Sequence, residues 1–176
     1  MAWLSAPAVG QFPAVITLDT LDGTDGFTLN GIDTGDQSGF SVSNAGDVNN
    51  DGFDDLIVGA YFADPNGNYA SGETYVIFGQ SSFAATLELS ALGGSNGFTL
   101  NGIDARDQLG ISVSSAGDVN NDGFDDMMVG AHYADPNGNS NSGETYVVFG
   151  QSSFAATVEL STLDGSNGFT LNGIDA

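Results

Sequence analysis

The chain has 176 residues and 40% hydrophobic content with 12 Phe and 5 Tyr, enough for a packed core and an argument against disorder. It carries 23 acidic residues against a single basic one, Arg106, for a formal charge of −22; nothing could neutralise phosphates, which excludes nucleic acid and anionic membranes as partners. The 26 Gly follow no three-residue period, excluding collagen, and the absence of Cys removes disulfides, thiolate zinc sites and redox dithiols.

An acidic surface suits salty, calcium-containing surroundings, where cations screen self-repulsion. Two bound Ca²⁺ would still leave a charge of −18. The first residues, from Met1 through Trp3 to Pro7, have no basic n-region, so the expectation is no signal peptide here. No window approaches the ~18 apolar residues of a membrane span, so no membrane insertion is expected.

In chain order the dominant feature is repetition. Phe12 aligns with Phe83 and Phe154, Phe27 with Phe98 and Phe169, and Asp47 with Asp118, each step being 71 positions. About 50 of the 71 paired positions in the first two copies are identical. The reading is a lead-in at 1–11, full units at 12–82 and 83–153, and a truncated third at 154–176.

Each unit gives signals of short strands, not helices. Gly39-Phe40-Ser41-Val42-Ser43 alternates, and Leu56-Ile57-Val58-Gly59-Ala60 is continuously apolar. A reversal at Asp64-Pro65-Asn66-Gly67-Asn68 follows, with the Pro and Asn-Gly chemistry of a tight turn. Then come a second continuous apolar strand, Thr74–Gly79, and a last strand at Gly97–Gly102. Thr86–Leu89 reads equally as a short strand or an ordered loop. A sheet with one wet face alternates, whereas a sheet covered on both faces does not. Four short antiparallel strands per unit, buried on both faces, predict an all-β fold of β-propeller blades rather than a sandwich or solenoid.

Between the first two strands lies Asp47-Val48-Asn49-Asn50-Asp51-Gly52-Phe53-Asp54-Asp55, repeated unchanged from Asp118 to Asp126. Oxygen-bearing side chains fall at every second position up to a glycine, and another carboxylate follows three residues later. Like charges packed this closely push a short loop apart unless a cation holds them. The pattern predicts two Ca²⁺ loops, with the glycine taking the sharp turn. An EF-hand is rejected: its twelfth position needs Glu, but Val58 and Val129 stand there, and the flanks are strands.

The order Ser38-Gly39-Phe40, Gly46–Asp55, Gly59-Ala60 and Gly72–Gly79 resembles an FG-GAP repeat, over nearly the whole chain. It departs where Phe40 and Ile111 follow the glycine, and where Tyr61 and His132 replace a usual proline. The resemblance implies the propeller of integrin α subunits, or the similar arrays of large bacterial surface and secreted proteins. It agrees with the spacing on the ligands: Asp47, Asn49, Asp51 and Asp55 through side chains and Phe53 through its carbonyl. The second set is Asp118, Asn120, Asp122, Phe124 and Asp126. All-oxygen ligation favours Ca²⁺ over softer metals.

Other polar residues have plainer readings. Asp54 and Asp125 are expected to face solvent or to support the ligands, His132 to be a surface or packing residue, and Asp64 to shape its turn. Glu73 and Glu144 read as solvated strand ends, and Arg106, standing where the first unit has Gly35, as an incidental surface charge. Asp33, Asp36, Asp104 and Asp107 lie on inter-unit loops where partner contact is conceivable.

The functional expectation is a calcium-stabilised extracellular or cell-surface propeller segment scaffolding adhesion or ligand recognition, non-enzymatic, with protein or glycan ligands. The rival is a propeller belonging to, or accessory to, a glycan-active lyase or hydrolase. Two blades fall short of the ~4–8 that close a ring. The expectation is therefore a fragment with further blades in the same parent chain, or a unit that self-assembles as a homo-oligomer.

Overall fold

The computed structural model describes Val15 and residues 17–174; the lead-in at 1–11, Phe12 and Asp175 lie outside them. Among the described residues all regular structure is β-strand or short 3-10 turn, with no α-helix. The strands are β1 (Thr28–Asn30), β2 (Ser41–Gly46), β3 (Asp55–Ala60), β4 (Glu73–Ile77), β5 (Thr86–Glu88) and β6 (Gly97–Asn101). The second unit adds β7 (Leu109–Gly117), β8 (Asp126–Ala131), β9 (Glu144–Val148), β10 (Thr157–Glu159) and β11 (Gly168–Asn172). The ambiguous stretch at 86–89 is divided: Thr86–Glu88 is a strand, and Leu89–Ala91 a 3-10 turn.

The strands form two propeller-type blades. The first is the antiparallel series β2-β3-β4-β6 and the second is β7-β8-β9-β11. Counted by sheets, the first blade runs from Ser41 to Asn101, so blade and sequence unit are offset by one strand. A further short strand then joins each outer edge in parallel. β5 lies beside β1 with Thr28 opposite Thr86, and β10 lies beside β6 with Thr99 opposite Thr157. Each parallel pair carries a side-chain bond at the same place, Asn30 Nδ2 donating to Glu88 Oε1 at 2.8 Å and Asn101 Nδ2 to Glu159 Oε1 at 3.3 Å.

The continuous apolar runs are explained by burial on both faces of the first blade. One face contributes Ile57, Val76, Phe98 and Leu100 to a core shared with Met127, Val129 and Tyr146 of the second blade. The opposite face contributes Val58, Tyr75 and Ile77 to a core covered by Leu29, Phe83, Leu87 and Leu92. Phe98 and Leu100 are fully buried, whereas their counterparts Phe169 and Leu171 in the identical Gly-Phe-Thr-Leu-Asn segment are 37% and 53% exposed. The difference comes from neighbours, since the residues are the same.

Near the inner strands the two blades meet backbone to backbone. The Ser41 hydroxyl donates to the Gly110 carbonyl at 2.6 Å, and a Cβ on Gly59 would lie 1.9 Å from that oxygen. Glycine is required at position 59 for this approach.

Candidate metal loops

Each candidate loop is the connection between the first two strands of a blade: residues 47–54 between β2 and β3, and 118–125 between β7 and β8. A bulge where Gly46 meets Asp55 ends the ladder and lets the chain turn. The loop then curls on its own side chains. Asp47 Oδ1 accepts from the Asp51 amide at 3.0 Å and Oδ2 from the Gly52 amide at 2.9 Å. Asn49 Oδ1 accepts from the Asp51 amide and Asp51 Oδ1 from the Phe53 amide, both at 3.0 Å. Asn50 at φ 55 and Gly52 at φ 93 hold the left-handed backbone that the curl needs, and Asn is among the few residues tolerating it. The second loop repeats these bonds through Asp118, Asn120 and Asp122 at 3.0 Å each.

The last carboxylate of each loop sits differently from the rest. Asp55 and Asp126 are fully buried, while Asp51 and Asp122 are exposed. Asp55 Oδ2 accepts from the Val48 amide at 2.9 Å, and Oδ1 from the Gly79 amide beyond β4 at 2.8 Å. Asp126 makes the same pair of bonds with Val119 and Gly150. One carboxylate thus ties the start of the loop to the far end of the third strand. Burial pushes the Asp55 carboxyl up to about 6 against the opposing pull of those two amides, with the Asp51 and Asp47 charges adding to the rise. Asp126 is raised for the same first reason.

The donor set tests well against a hard divalent cation. Every side chain offers oxygen, the buried carboxylate is stabilised only by amides, and the chain has one basic residue, Arg106, in a different loop. Among the described residues no three Asp, Glu or His side chains stand converged as a metal cluster; the carboxylates are turned onto backbone amides instead.

The loop is also a junction between blades. Asp125 Oδ2 accepts from the Asp47 amide at 2.9 Å, the Asp125 amide donates to the Asp47 carbonyl at 3.2 Å, and the Gln151 amide donates to the Val48 carbonyl at 2.9 Å. A Cβ on Gly46 would stand 2.3 Å from the Asp125 carboxylate. Asp125 therefore supports Asp47 across the blade boundary. Asp54 is exposed and takes only a 3.2 Å bond from Asn44 Nδ2. Sequence spacing gave no sign that these sister residues differ.

Elsewhere, Asp64 shapes its turn, accepting from the Ala70 amide at 2.6 Å. His132 is exposed and lies tilted against Tyr133 with centroids 3.9 Å apart. Glu73 is not a solvated strand end: it is half-buried at the start of β4, accepts the Tyr75 hydroxyl at 2.5 Å, and is raised in pKa by burial. Glu144 pairs with Tyr146 in the same way. Arg106 is not a generic surface position either. It holds φ 75 where Gly35 holds φ 103, and lines a cleft between the units with Asp107.

Comparison with known proteins agrees with this architecture. The FG-GAP repeat family matches at residues 38–77 and 109–148, which in each unit spans the three inner strands and the candidate loop. Integrin alpha-3 of Cricetulus griseus is 36% identical over 105 residues, covering 60% of this chain and 9% of the integrin. Integrin alpha-5 of Xenopus laevis is 32% identical over 167 residues, 82% of this chain and 15% of its own length. Integrin alpha-PS2 of Drosophila melanogaster is 28% identical over 151 residues, 84% and 10%. The chain therefore spans between about a tenth and a seventh of the length of these relatives. No described helix is long and apolar enough to cross a membrane. On its blades, its loops and these matches, the chain carries FG-GAP repeats at two positions, residues 38–77 and 109–148.

Proposed function

We propose that the chain is a calcium-stabilised propeller segment that scaffolds adhesion or ligand recognition outside the cell or at its surface, without catalysis of its own. The observation that carries this reading is the buried carboxylate of each loop, Asp55 and Asp126. Each spans from the loop to the third strand with no cationic side chain beside it. Asp47, Asn49, Asp51, Asp55 and the Phe53 carbonyl would hold one Ca²⁺, and Asp118, Asn120, Asp122, Asp126 and the Phe124 carbonyl a second. The ion supplies charge neutralisation and a link between hairpin and third strand. Because Asp125 bonds to the Asp47 backbone, order in one loop supports the next blade. The integrin relatives support a role in adhesion with protein ligands; a glycan ligand, and further blades in the same parent chain or in a homo-oligomer, are part of the same proposal. The exposed Phe169 and Leu171 on β11 are the surface such a further blade would cover.

Thermal melting in calcium and in EDTA tests the proposal. Extracellular calcium modules bind with Kd on the order of 10⁻⁴–10⁻³ M. At about 10 mM Ca²⁺ each site then adds roughly 1.4–2.7 kcal/mol, and two sites shift Tm on the order of 10 °C. An unchanged Tm refutes structural calcium. A polysaccharide-degradation screen tests the absence of catalysis, and turnover refutes it.

A further inference from the structure

At the end of the blades away from the metal loops, a cleft of about 540 Å³ opens where the two units meet. Its size lies within the roughly 300–1,000 Å³ range of small-molecule sites. One wall is Phe62 and Tyr69 of the first unit, and the other is Tyr133 of the second; the loop through Arg106, Asp107 and Gln108 lies between them. Tyr69 and Tyr133 are 62% and 45% exposed, so their rings are accessible to a ligand. Each wall is backed by a neighbouring ring: Phe62 lies tilted against Tyr61 with centroids 4.4 Å apart, and Tyr133 against His132 at 3.9 Å. The Arg106 amide donates to the Tyr69 carbonyl at 2.8 Å and the Gln108 amide to the Ala70 carbonyl at 3.1 Å, fixing the middle loop to the first wall.

Two further observations single out this cleft. Ala70 (φ 50), Arg106 (φ 75), Gln108 (φ 58) and Asn141 (φ 52) all hold left-handed backbone, and all four line it. Such residues cost on the order of 1 kcal/mol or more each and gather where a site needs its side chains placed. The duplicated units also diverge here. Gly35 becomes Arg106, Phe62 becomes Tyr133, Tyr69 becomes Ser140 and Ala70 becomes Asn141, while the metal loops are identical. The second unit thus holds an arginine in a glycine's backbone region, at the lining of the cleft. A smaller cleft of about 330 Å³, with Asp36 and Gln37 in the places of Asp107 and Gln108, stands one unit earlier.

We propose that this inter-repeat cleft binds a neutral saccharide, its ring faces packed on Tyr69 and Tyr133 and its hydroxyls bonded to Asp107, Gln108, Asn141 and Arg106. The chemistry argues for this class. A charge of −22 disfavours anionic ligands, and within the cleft Arg106 offsets one of the two lining carboxylates, Asp107 and Asp135, leaving a nearly balanced rim. A mixed rim of acceptors and donors with exposed aromatic faces fits an uncharged polyhydroxyl ligand, which presents both hydroxyls and apolar ring faces. The proposal gives a ligand class to the recognition role above and rests on it.

The test is an NMR titration of the full chain in calcium with N-acetylglucosamine, methyl glucoside and methyl galactoside. The expected result is saturable shifts at residues 62–70, 105–108 and 133–141 with at least one sugar. Tyr69→Ala and Tyr133→Ala, both at exposed positions, should each weaken binding about tenfold without moving Tm. Arg106→Gly, which restores the first unit's residue, should keep the fold and weaken binding. Absence of saturable shifts with all three sugars overturns the proposal, as does binding indifferent to both tyrosine variants, or a Lys/Arg-rich peptide saturating the cleft in their place. A normal calcium-dependent melt without sugar shifts refutes the cleft alone. Sugar shifts without a calcium-dependent melt refute the calcium reading alone.

Discussion

Gly59→Ala should damage the blade junction far more than Gly130→Ala, although the two glycines are equivalents in β3 and β8. A Cβ at position 59 would lie 1.9 Å from the Gly110 carbonyl oxygen and 2.8 Å from its carbon, both backbone atoms of the neighbouring blade. It would also press the Ser41 hydroxyl at 2.4 Å, which donates to that same carbonyl. At position 130 the only close atom is the Ser112 hydroxyl, also at 2.4 Å, and a rotamer change clears it. The side-chain clash is thus common to both, and the backbone clash belongs to Gly59. Overpacking that forces backbone movement costs about 1–3 kcal/mol, and loss of the Ser41 bond adds about 1 kcal/mol. The excess for Gly59→Ala is therefore roughly 2–4 kcal/mol. Urea unfolding of both variants beside the parent, fitted for midpoint and slope, measures it. Equal losses in the two variants would refute the packing of β3 against β7.

Two other outcomes follow from the buried carboxylates. In EDTA, Asp55→Asn should cost about 1–3 kcal/mol, because its amide nitrogen would face the Val48 or Gly79 N–H, whereas Asp54→Asn should stay within about 0.5 kcal/mol. Equal losses by urea unfolding would show that the staple contributes nothing without metal. Asp107 gives a pH signature. Burial pushes its carboxyl up to about 6, with Asp104, Glu144 and Asp135 adding repulsion. A raised carboxyl binds its proton more tightly in the folded chain, so stability should rise as pH falls through 6 towards the unfolded value near 4. Asp107→Asn should remove that part of the slope and raise stability at pH 7 by about 1 kcal/mol, after allowance for solvent screening. Melting both proteins from pH 7 to 4.5 in calcium checks this, and parallel profiles would overturn it.

Strand identity was legible where the chain is apolar on consecutive residues. Leu56–Ala60 and Thr74–Gly79 predict doubly covered strands, and Ile57 and Val58 do bury into opposite cores. The turn between the first two strands was legible because its bonds are local: all its residues lie within nine positions. What depended on the third dimension was not. Nothing near Asp125 in sequence indicates that it bonds the Asp47 amide 78 positions away. Asp55 resembles the other acidic residues of its loop until Gly79 arrives from beyond the third strand. Arg106 looks incidental because its meaning lies in the walls that Tyr69 and Tyr133 bring to it.

The parallel pairs β1-β5 and β6-β10 bear on how such an array meets force. Each unit lends a three-residue strand to the sheet of its predecessor, clasped by an Asn–Glu side-chain bond. Drawing neighbouring units apart along these strands loads the short ladder in shear, so that its bonds resist together instead of opening one by one. The same overlap makes each unit's outer edge depend on the next. Tension that strips one clasp uncovers a strand and weakens the unit behind it, and tethers built this way give in discrete, unit-sized steps.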